Sequence, residues 1–229
     1  MKTSMDVTIV ATLRPDIIRQ TMESMSQMIC TRTFYLRSIV NVDLIGDDCS
    51  PYDVLNEVEK IIPIHKYNIA DKPSFARAVR WVWRNSTSQY VLHVEDDWKF
   101  QRKIDLDWCA KQMEKGDADY IRFAKRMRPV DNEKRHPSLL PSLWVGVIVR
   151  SLSEIMVDNK DPEKQLRYGL GNEMIDLLLP KQIVDYPGGI CVSDIGREWR
   201  NRRNLVKWNK EMDSGEDLTF NGEVTWRRG

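Results

Sequence analysis

The chain has 229 residues, with 35 Lys and Arg against 34 Asp and Glu, 41% hydrophobic residues and 30% charged residues. That length holds one domain of ordinary to large size, able to bury a core without disulfide or metal staples, and the apolar content excludes a disordered chain. A net charge of +1 excludes a globally basic nucleic-acid binder while leaving room for a local basic face.

Taken in chain order, the first half alternates strand and helix. Asp6 to Thr12 is a β-rich run that stops at Arg14-Pro15, where proline suits a helix start. Ile17, Ile18, Met22, Met25 and Met28 follow near helical spacing and predict a helix over Asp16 to Ile29. Leu36 to Ile45 reads as a second strand, ended by Gly46-Asp47-Asp48. Ser50-Pro51 then opens a short helix that turns Val54, Leu55 and Val58 inward. Ile61 to Tyr67 is a third strand. Between Ser74 and Arg84 one helical stripe carries Phe75, Ala78, Val79 and Val82, and another carries Arg77, Arg80, Trp81 and Arg84. Gln89 to Val94 is a fourth strand, halted by Glu95-Asp96-Asp97. This order predicts an α/β fold with a mainly parallel sheet flanked by helices.

The second half is less regular. A helix over Ile104 to Lys115 and a strand over Asp119 to Ala124 are expected. Met127 to Pro141 is polar, basic and proline-containing, and reads as a long loop. Leu143 to Val149 reads as a strand, and a helix spans about Leu166 to Leu179. Two short strands flank Pro187-Gly188-Gly189. No repeat or linker divides the chain, which is expected to be one domain over 1–229 with a basic tail from about residue 196. The longest apolar run, Leu143 to Val149, falls far short of a membrane span, and Asp6 interrupts the early apolar stretch, so neither a span nor a secretory leader is expected. Cys30, Cys49, Cys109 and Cys191 form no C-x-x-C pair, which argues against zinc and for a reducing, cytoplasmic compartment. His65, His93 and His136 have no metal or triad spacing.

The informative stretch is Tyr90 to Trp98, where an apolar strand delivers three adjacent carboxylates at its C-terminal end. In open α/β sheets that edge is where ligands bind. Three crowded carboxylates repel one another unless a cation or a proton compensates, and Mg²⁺ or Mn²⁺ is the natural partner of such hard oxygen ligands. A solvated acidic turn is the competing reading.

The order of elements and the Glu95-Asp96-Asp97 motif resemble the GT-A glycosyltransferases, above all the large inverting family usually numbered two, in which a D-x-D-like motif holds Mn²⁺ or Mg²⁺ and a nucleotide-sugar diphosphate. The resemblance covers about residues 6 to 200. It implies a Rossmann-like sheet, a metal-dependent glycosyltransferase and a nucleoside diphosphate-sugar donor, with a UDP-sugar expected. It makes Asp97 and Glu95 metal ligands, with Asp96 beside them at the donor. Val7 to Pro15 resembles the family's first strand and nucleotide-touching loop, with Thr12 and Arg14 as contacts. Gly46 to Ser50 resembles the D-D-G-S segment that meets the base; Asp47 and Asp48 are candidates, with Asp43 as a competing choice. Arg77 matches an arginine near the sugar and diphosphate. Gly169 to Met174 lies where inverting members place their general base, implying Glu173 with Asp176 in reserve. Asp194 lies where a third metal ligand is often found. The stretch Asn68 to Trp98 also resembles glycosyltransferases of tailed phages, some linked to hydroxymethylated pyrimidines in DNA.

Two basic segments bear on the acceptor. Residues 122–135 hold six Arg and Lys against two acids, and residues 197–210 hold six against one, with Trp199 and Trp208 among them. Such segments suit a polyanion with stackable bases, and equally a diphosphate-binding flap, an acidic glycan or plain solvated surface. The acceptor is therefore expected to be a hydroxyl, either of hydroxymethylpyrimidine DNA or of a saccharide or protein. A nucleotidylyltransferase would need a glycine-rich loop after the first strand, and Thr12 to Pro15 has none. A non-catalytic nucleic-acid-binding module remains the alternative outside enzymes.

Overall fold

The computed structural model describes residues 2–70, 72–123, 137–168, 178–189, 191–196, 199, 205–207 and 226–228. Strand β1 (Thr3–Leu13) leads through Arg14 into α1 (Pro15–Met28), whose first residue is the expected proline. β2 (Ile29–Cys30) and β3 (Phe34–Gly46) follow. Then comes α2 (Pro51–Glu59), closed by a capping box in which Ser50 and Asp53 satisfy each other's backbone N–H groups. β4 (Ile64–Ala70), α3 (Phe75–Arg84) and β5 (Tyr90–Glu95) complete the alternating half. Beyond it run β6 (Trp98–Phe100), β7 (Ile104–Asp105), α4 (Leu106–Glu114), β8 (Tyr120–Arg122), β9 (Ser142–Val145), α5 (Gly146–Ile155), α6 (Pro162–Tyr168), β10 (Ile183–Asp185) and β11 (Val192–Asp194). β12 (Leu205–Lys207) pairs antiparallel with β13 (Trp226–Arg228).

The central sheet has the order β10-β8-β9-β5-β1-β3-β4. β1 pairs in parallel with both β3 and β5, β3 with β4, and β10 with β8; β9 alone runs antiparallel, between β5 and β8. The mainly parallel sheet and its flanking helices are as expected. Strand alternation splits the core into two layers. Val7, Ile9 and Ala11 of β1 pack with Ile18, Met22 and Met25 of α1, Val54 and Val58 of α2 and Cys109 of α4. Val10 faces the other way, with Ile39, Val79, Val82, Trp83, Trp144, Val149 and Leu152. Within that second layer Trp83 Nε1 donates to His93 Nδ1 at 3.2 Å, and burial pushes the imidazole down to about 3, so it stays neutral. All four cysteines are free thiols, Cys109 and Cys191 inside the core.

The run Leu143 to Val149 is not one strand. β9 stops at Val145, and Gly146 begins α5. The β-branched residues of that run favour a strand, yet Gly146, Val149, Leu152 and Met156 are buried at three- and four-residue steps, a helical stripe that packs on α3. The following helix starts earlier than expected, at Pro162, because Asp161 accepts from the N–H groups of Glu163 and Lys164. Of the expected helix over Leu166 to Leu179, residues 169–177 lie outside the described residues. Among the described residues no helix is long and apolar enough to cross a membrane.

Candidate active site

The C-terminal ends of β1, β3, β4 and β5 lie along one edge of the sheet, and the loops leaving them carry most of the expected site residues. Beyond Glu95, the last residue of β5, Asp96 and Asp97 form a tight turn into β6. Asp96 N donates to Val10 O at 3.0 Å, and Thr21 Oγ1 of α1 donates to Asp96 O at 2.6 Å, so strand and helix together fix the turn. The Asp96 carboxylate is buried at 3% exposure. It accepts from Thr12 N (2.9 Å), Thr12 Oγ1 (3.0 Å) and Arg14 Nε (3.3 Å), and pairs closely with Arg14 Nη2. The same Nη2 reaches Asp97 Oδ2 at 3.3 Å. Trp199 covers the guanidinium, its ring centroid 5.4 Å from Arg14 Cζ. Burial opposes the Arg14 charge, but Asp96 and Asp97 outweigh it and hold its pKa above the ordinary arginine value. Thr12, Arg14, Asp96 and Asp97 thus meet, with Asp96 oriented onto the β1 loop.

A second cluster lies beside it. Thr12 is paired in register with Asp43. Asn68 Nδ2 donates to Asn41 Oδ1 (2.7 Å), Asn41 Nδ2 donates to Asp43 Oδ1 (2.9 Å), and Ser74 N, at the start of α3, donates to Asp43 Oδ2 (3.1 Å). Burial pushes the Asp43 carboxyl up to about 6 against the two hydrogen bonds that favour its ionised form; Asp96 adds to the rise and Arg77 opposes it. Asn41 and Asn68 also line a cleft of about 560 Å³ with Lys72, Arg77, Arg80 and Trp81. Arg77 is half exposed there, 4.0 Å from Asp158. Asp47 and Asp48 sit in the bend after β3, where Asp47 N donates to Leu13 O at 2.6 Å. Gly46 permits that approach: its φ is +135°, and a Cβ would stand 2.4 Å from Leu13 O. Of the three aspartates, Asp43 is the buried one.

β6 and β11 form a ribbon that sets Asp194 opposite Trp98, and Ile195 N donates to Asp97 O at 2.9 Å. Gly196 then passes so close that a Cβ would lie 2.2 Å from Asp97 Oδ2. Asp194 is therefore a near neighbour of Asp97 along the ribbon. Among the described residues no three His, Cys, Asp or Glu side chains form a ready metal cage, so Glu95, Asp97 and Asp194 are not gathered as one. The donor set still fits Mg²⁺ or Mn²⁺: its oxygens are hard, and such ions bind through one or two carboxylates and complete their shell with water and substrate phosphate. Glu173 and Asp176 lie outside the described residues, as do residues 124–135 and most of 197–210. Of the first basic segment, Arg122 is seen donating from Nε to Asp185 Oδ1 at 2.7 Å.

Sequence reasoning missed Asn41, Asn68 and Ser74. Asn41 inside a strand of aliphatic residues was the one available signal, since a buried amide needs partners.

No protein-family model matches the chain, and no curated protein matches it. Solved structures share its fold. TarS 1–349 of S. aureus superposes with a TM-score of 0.59 at 14% identity, over 86% of this chain and 61% of that one; it has also been solved with UDP-GlcNAc. The mannosyltransferase PcManGT of Pyrobaculum calidifontis, in complex with GDP-Man and Mn²⁺, gives 0.60 at 13% identity, over 89% of this chain and 61% of that one. Glucosyl-3-phosphoglycerate synthase of M. tuberculosis, with Mn²⁺, UDP-glucose and phosphoglyceric acid, gives 0.55 at 12% identity, over 88% and 75%. The fold is the GT-A class: a Rossmann-like, mainly parallel sheet flanked by helices. This chain spans about six tenths of TarS 1–349 and of PcManGT.

Proposed function

We propose that this chain is a metal-dependent glycosyltransferase that moves a sugar from a nucleoside diphosphate-sugar to an acceptor hydroxyl. The observation that carries the reading is the acidic turn Glu95–Asp97 at the sheet edge, where two adjacent carboxylates share one buried arginine. The GT-A fold, common to proteins solved with UDP-GlcNAc or with GDP-Man and Mn²⁺, supports it.

Asp97 would hold the divalent cation, with Glu95 or Asp194 as second protein ligand, and such an ion would supply positive charge to the diphosphate leaving group. Asp96 keeps Thr12 and Arg14 in place at the end of β1. Asp43, Asn41 and Asn68 present acceptors and donors to the base of the nucleotide, for which uracil is the expected partner. Arg77 and Lys72, which line the same cleft, are the cations offered to its phosphates. Glu173, with Asp176 in reserve, takes the acceptor proton in an inverting displacement. For the acceptor, hydroxymethylpyrimidine DNA rests on the phage resemblance and the two basic segments; a saccharide or protein hydroxyl is its rival.

The test is a binding and turnover panel of UDP- and GDP-sugars with Mn²⁺ or Mg²⁺, run on the wild type and Asp97→Asn. Metal-dependent binding of one donor, lost in the variant, is the expected result. Absence of donor binding with either ion overturns the reading. The donor found is then offered with hydroxymethylated DNA, oligosaccharide and protein acceptors, and salt-sensitive transfer to DNA would select the first.

A further inference from the structure

We propose that Arg14 is a built-in counter-ion that competes with the divalent cation for Asp97, and so sets how weakly the protein holds that cation before nucleotide arrives. The inference rests on the cation site assigned above to Asp97.

Arg14 is anchored unequally. Toward Asp96 it makes two contacts, through Nε and Nη2, and Nε also donates to Thr12 Oγ1 at 2.7 Å. Toward Asp97 it makes one, from the same Nη2, at 3.3 Å. The Asp96 side of the pair is closed by Thr12, whereas Asp97 is the more exposed partner, at 16% against 4% for Asp96. A cation arriving at Asp97 would therefore compete with the 3.3 Å Nη2 contact while Arg14 stays seated on Asp96. It also meets a fixed positive charge a few ångströms away in a poorly screened setting, and that repulsion weakens its binding. The guanidinium is also hemmed in: the carboxylates hold its nitrogens, Cζ lies over the Trp199 ring, and Arg14 is only 6% exposed, so it has little freedom to swing away. When the cation leaves, the Nη2 contact re-forms and the adjacent carboxylates stay compensated. A nucleoside diphosphate brings negative charge that offsets the guanidinium, so cation and nucleotide bind with positive coupling.

The experiment measures Mn²⁺ affinity without nucleotide, by the loss of the free-ion electron paramagnetic resonance signal. The proteins are wild type, Asp97→Asn, Arg14→Gln and Arg14→Lys. Arg14→Gln is expected to bind Mn²⁺ about ten-fold more tightly than wild type, and Arg14→Lys, which keeps the charge on a shorter reach, two- to three-fold more tightly. A residue that only braces the turn gives the opposite sign, so unchanged or weaker binding in both variants overturns the proposal. Should Arg14→Gln fail to fold, the wild type decides. Its Arg14 guanidinium NMR signals, identified by their loss in Arg14→Lys, must shift during a Mg²⁺ titration with the midpoint of cation binding, and signals that stay still overturn the proposal. If the wild type binds neither ion with or without a nucleoside diphosphate, the cation reading of Asp97 fails with it. If it binds and only the Arg14 result fails, that reading stands.

Discussion

β1 carries a buried charge cluster at each end, and the two differ in balance. At its start, Asp6 is fully buried and meets one Arg37 guanidinium at 2.7 Å plus the backbone N–H groups of Thr87 (2.6 Å) and Ser88 (2.8 Å). One acid faces one base, and both carboxylate oxygens are satisfied. At its far end, among the described residues, Asp96 and Asp97 both reach Arg14, with Glu95 and Asp43 close by in the chain or across the ladder. A balanced buried pair needs nothing further and serves the fold. Among the described residues the acid excess lies at the ligand-binding edge of an open sheet, where the cation proposed above would add positive charge.

Four measurements break or sharpen this contrast. The largest effect is expected at the balanced end. Asp6→Asn leaves Arg37 and two N–H donors poorly matched and should cost about 4 kcal/mol in urea unfolding, with Mn²⁺ affinity unchanged. Burial raises the Asp6 pKa but the Ser88, Thr87 and Arg37 contacts outweigh it, so the folded value is lowered. Its contribution is therefore present above the ordinary carboxylate pKa and lost as pH falls, an acid limb that the variant flattens.

Asp43 has the opposite sign. With a folded pKa of about 6 against 3.8, its contribution is complete below about pH 4 and lost as pH rises through 6, on the order of 3 kcal/mol. Carbon-13 NMR of the Asp43 carboxyl should titrate near 6, and stability should fall from pH 4 to 7 by more in the wild type than in Asp43→Asn. A midpoint near 4 would remove Asp43 from the acid excess. Asp97→Asn should weaken Mn²⁺ binding about a hundred-fold, about 2.7 kcal/mol, with little change in unfolding. Equal loss of stability would make it another Asp6. Smallest is Gly196→Ala, whose Cβ displaces the Asp97 carboxylate and should cost about ten-fold in Mn²⁺ affinity at near wild-type thermal stability.

The alternating half of the fold was legible because its signals are local. Ser50-Pro51 caps α2 and Arg14-Pro15 opens α1 as read, and the apolar strands end where Gly46 and Glu95 stand. α5 was misread because a window of seven residues cannot separate a β-branched run from the first turns of a helix. The stripe that decides it extends to Met156. At the site, charge adjacency singled out Glu95–Asp97, and the chemistry of adjacent carboxylates is a property of sequence. The Asn68–Asn41–Asp43–Ser74 chain is not: its members come from two strands and a helix cap, and only the β3–β4 register brings the two amides together. Nor does spacing reveal that Asp96, the middle carboxylate, turns inward to Thr12 and Arg14 while Asp97 remains the more open one.

The placement of β1 between β3 and β5 has a kinetic consequence. Its central position requires a partner that lies 85 residues away along the chain, as Thr8 and His93 do, before both of its long edges are paired. Until β5 docks, the β1–β3 pair leaves the other edge of β1 bare, beside an apolar face of Val7, Ile9 and Ala11. Closing so large a loop precedes the contacts that reward it, so folding is slow relative to a helical protein of this size, and the half-built sheet is the species that would aggregate. The acidic turn forms in that same docking step, because Asp96 N bonds Val10 O across the newly made edge. Docking of β5 on β1 and assembly of the acidic turn are thus one event, and no folded intermediate lacking β5 can carry the site.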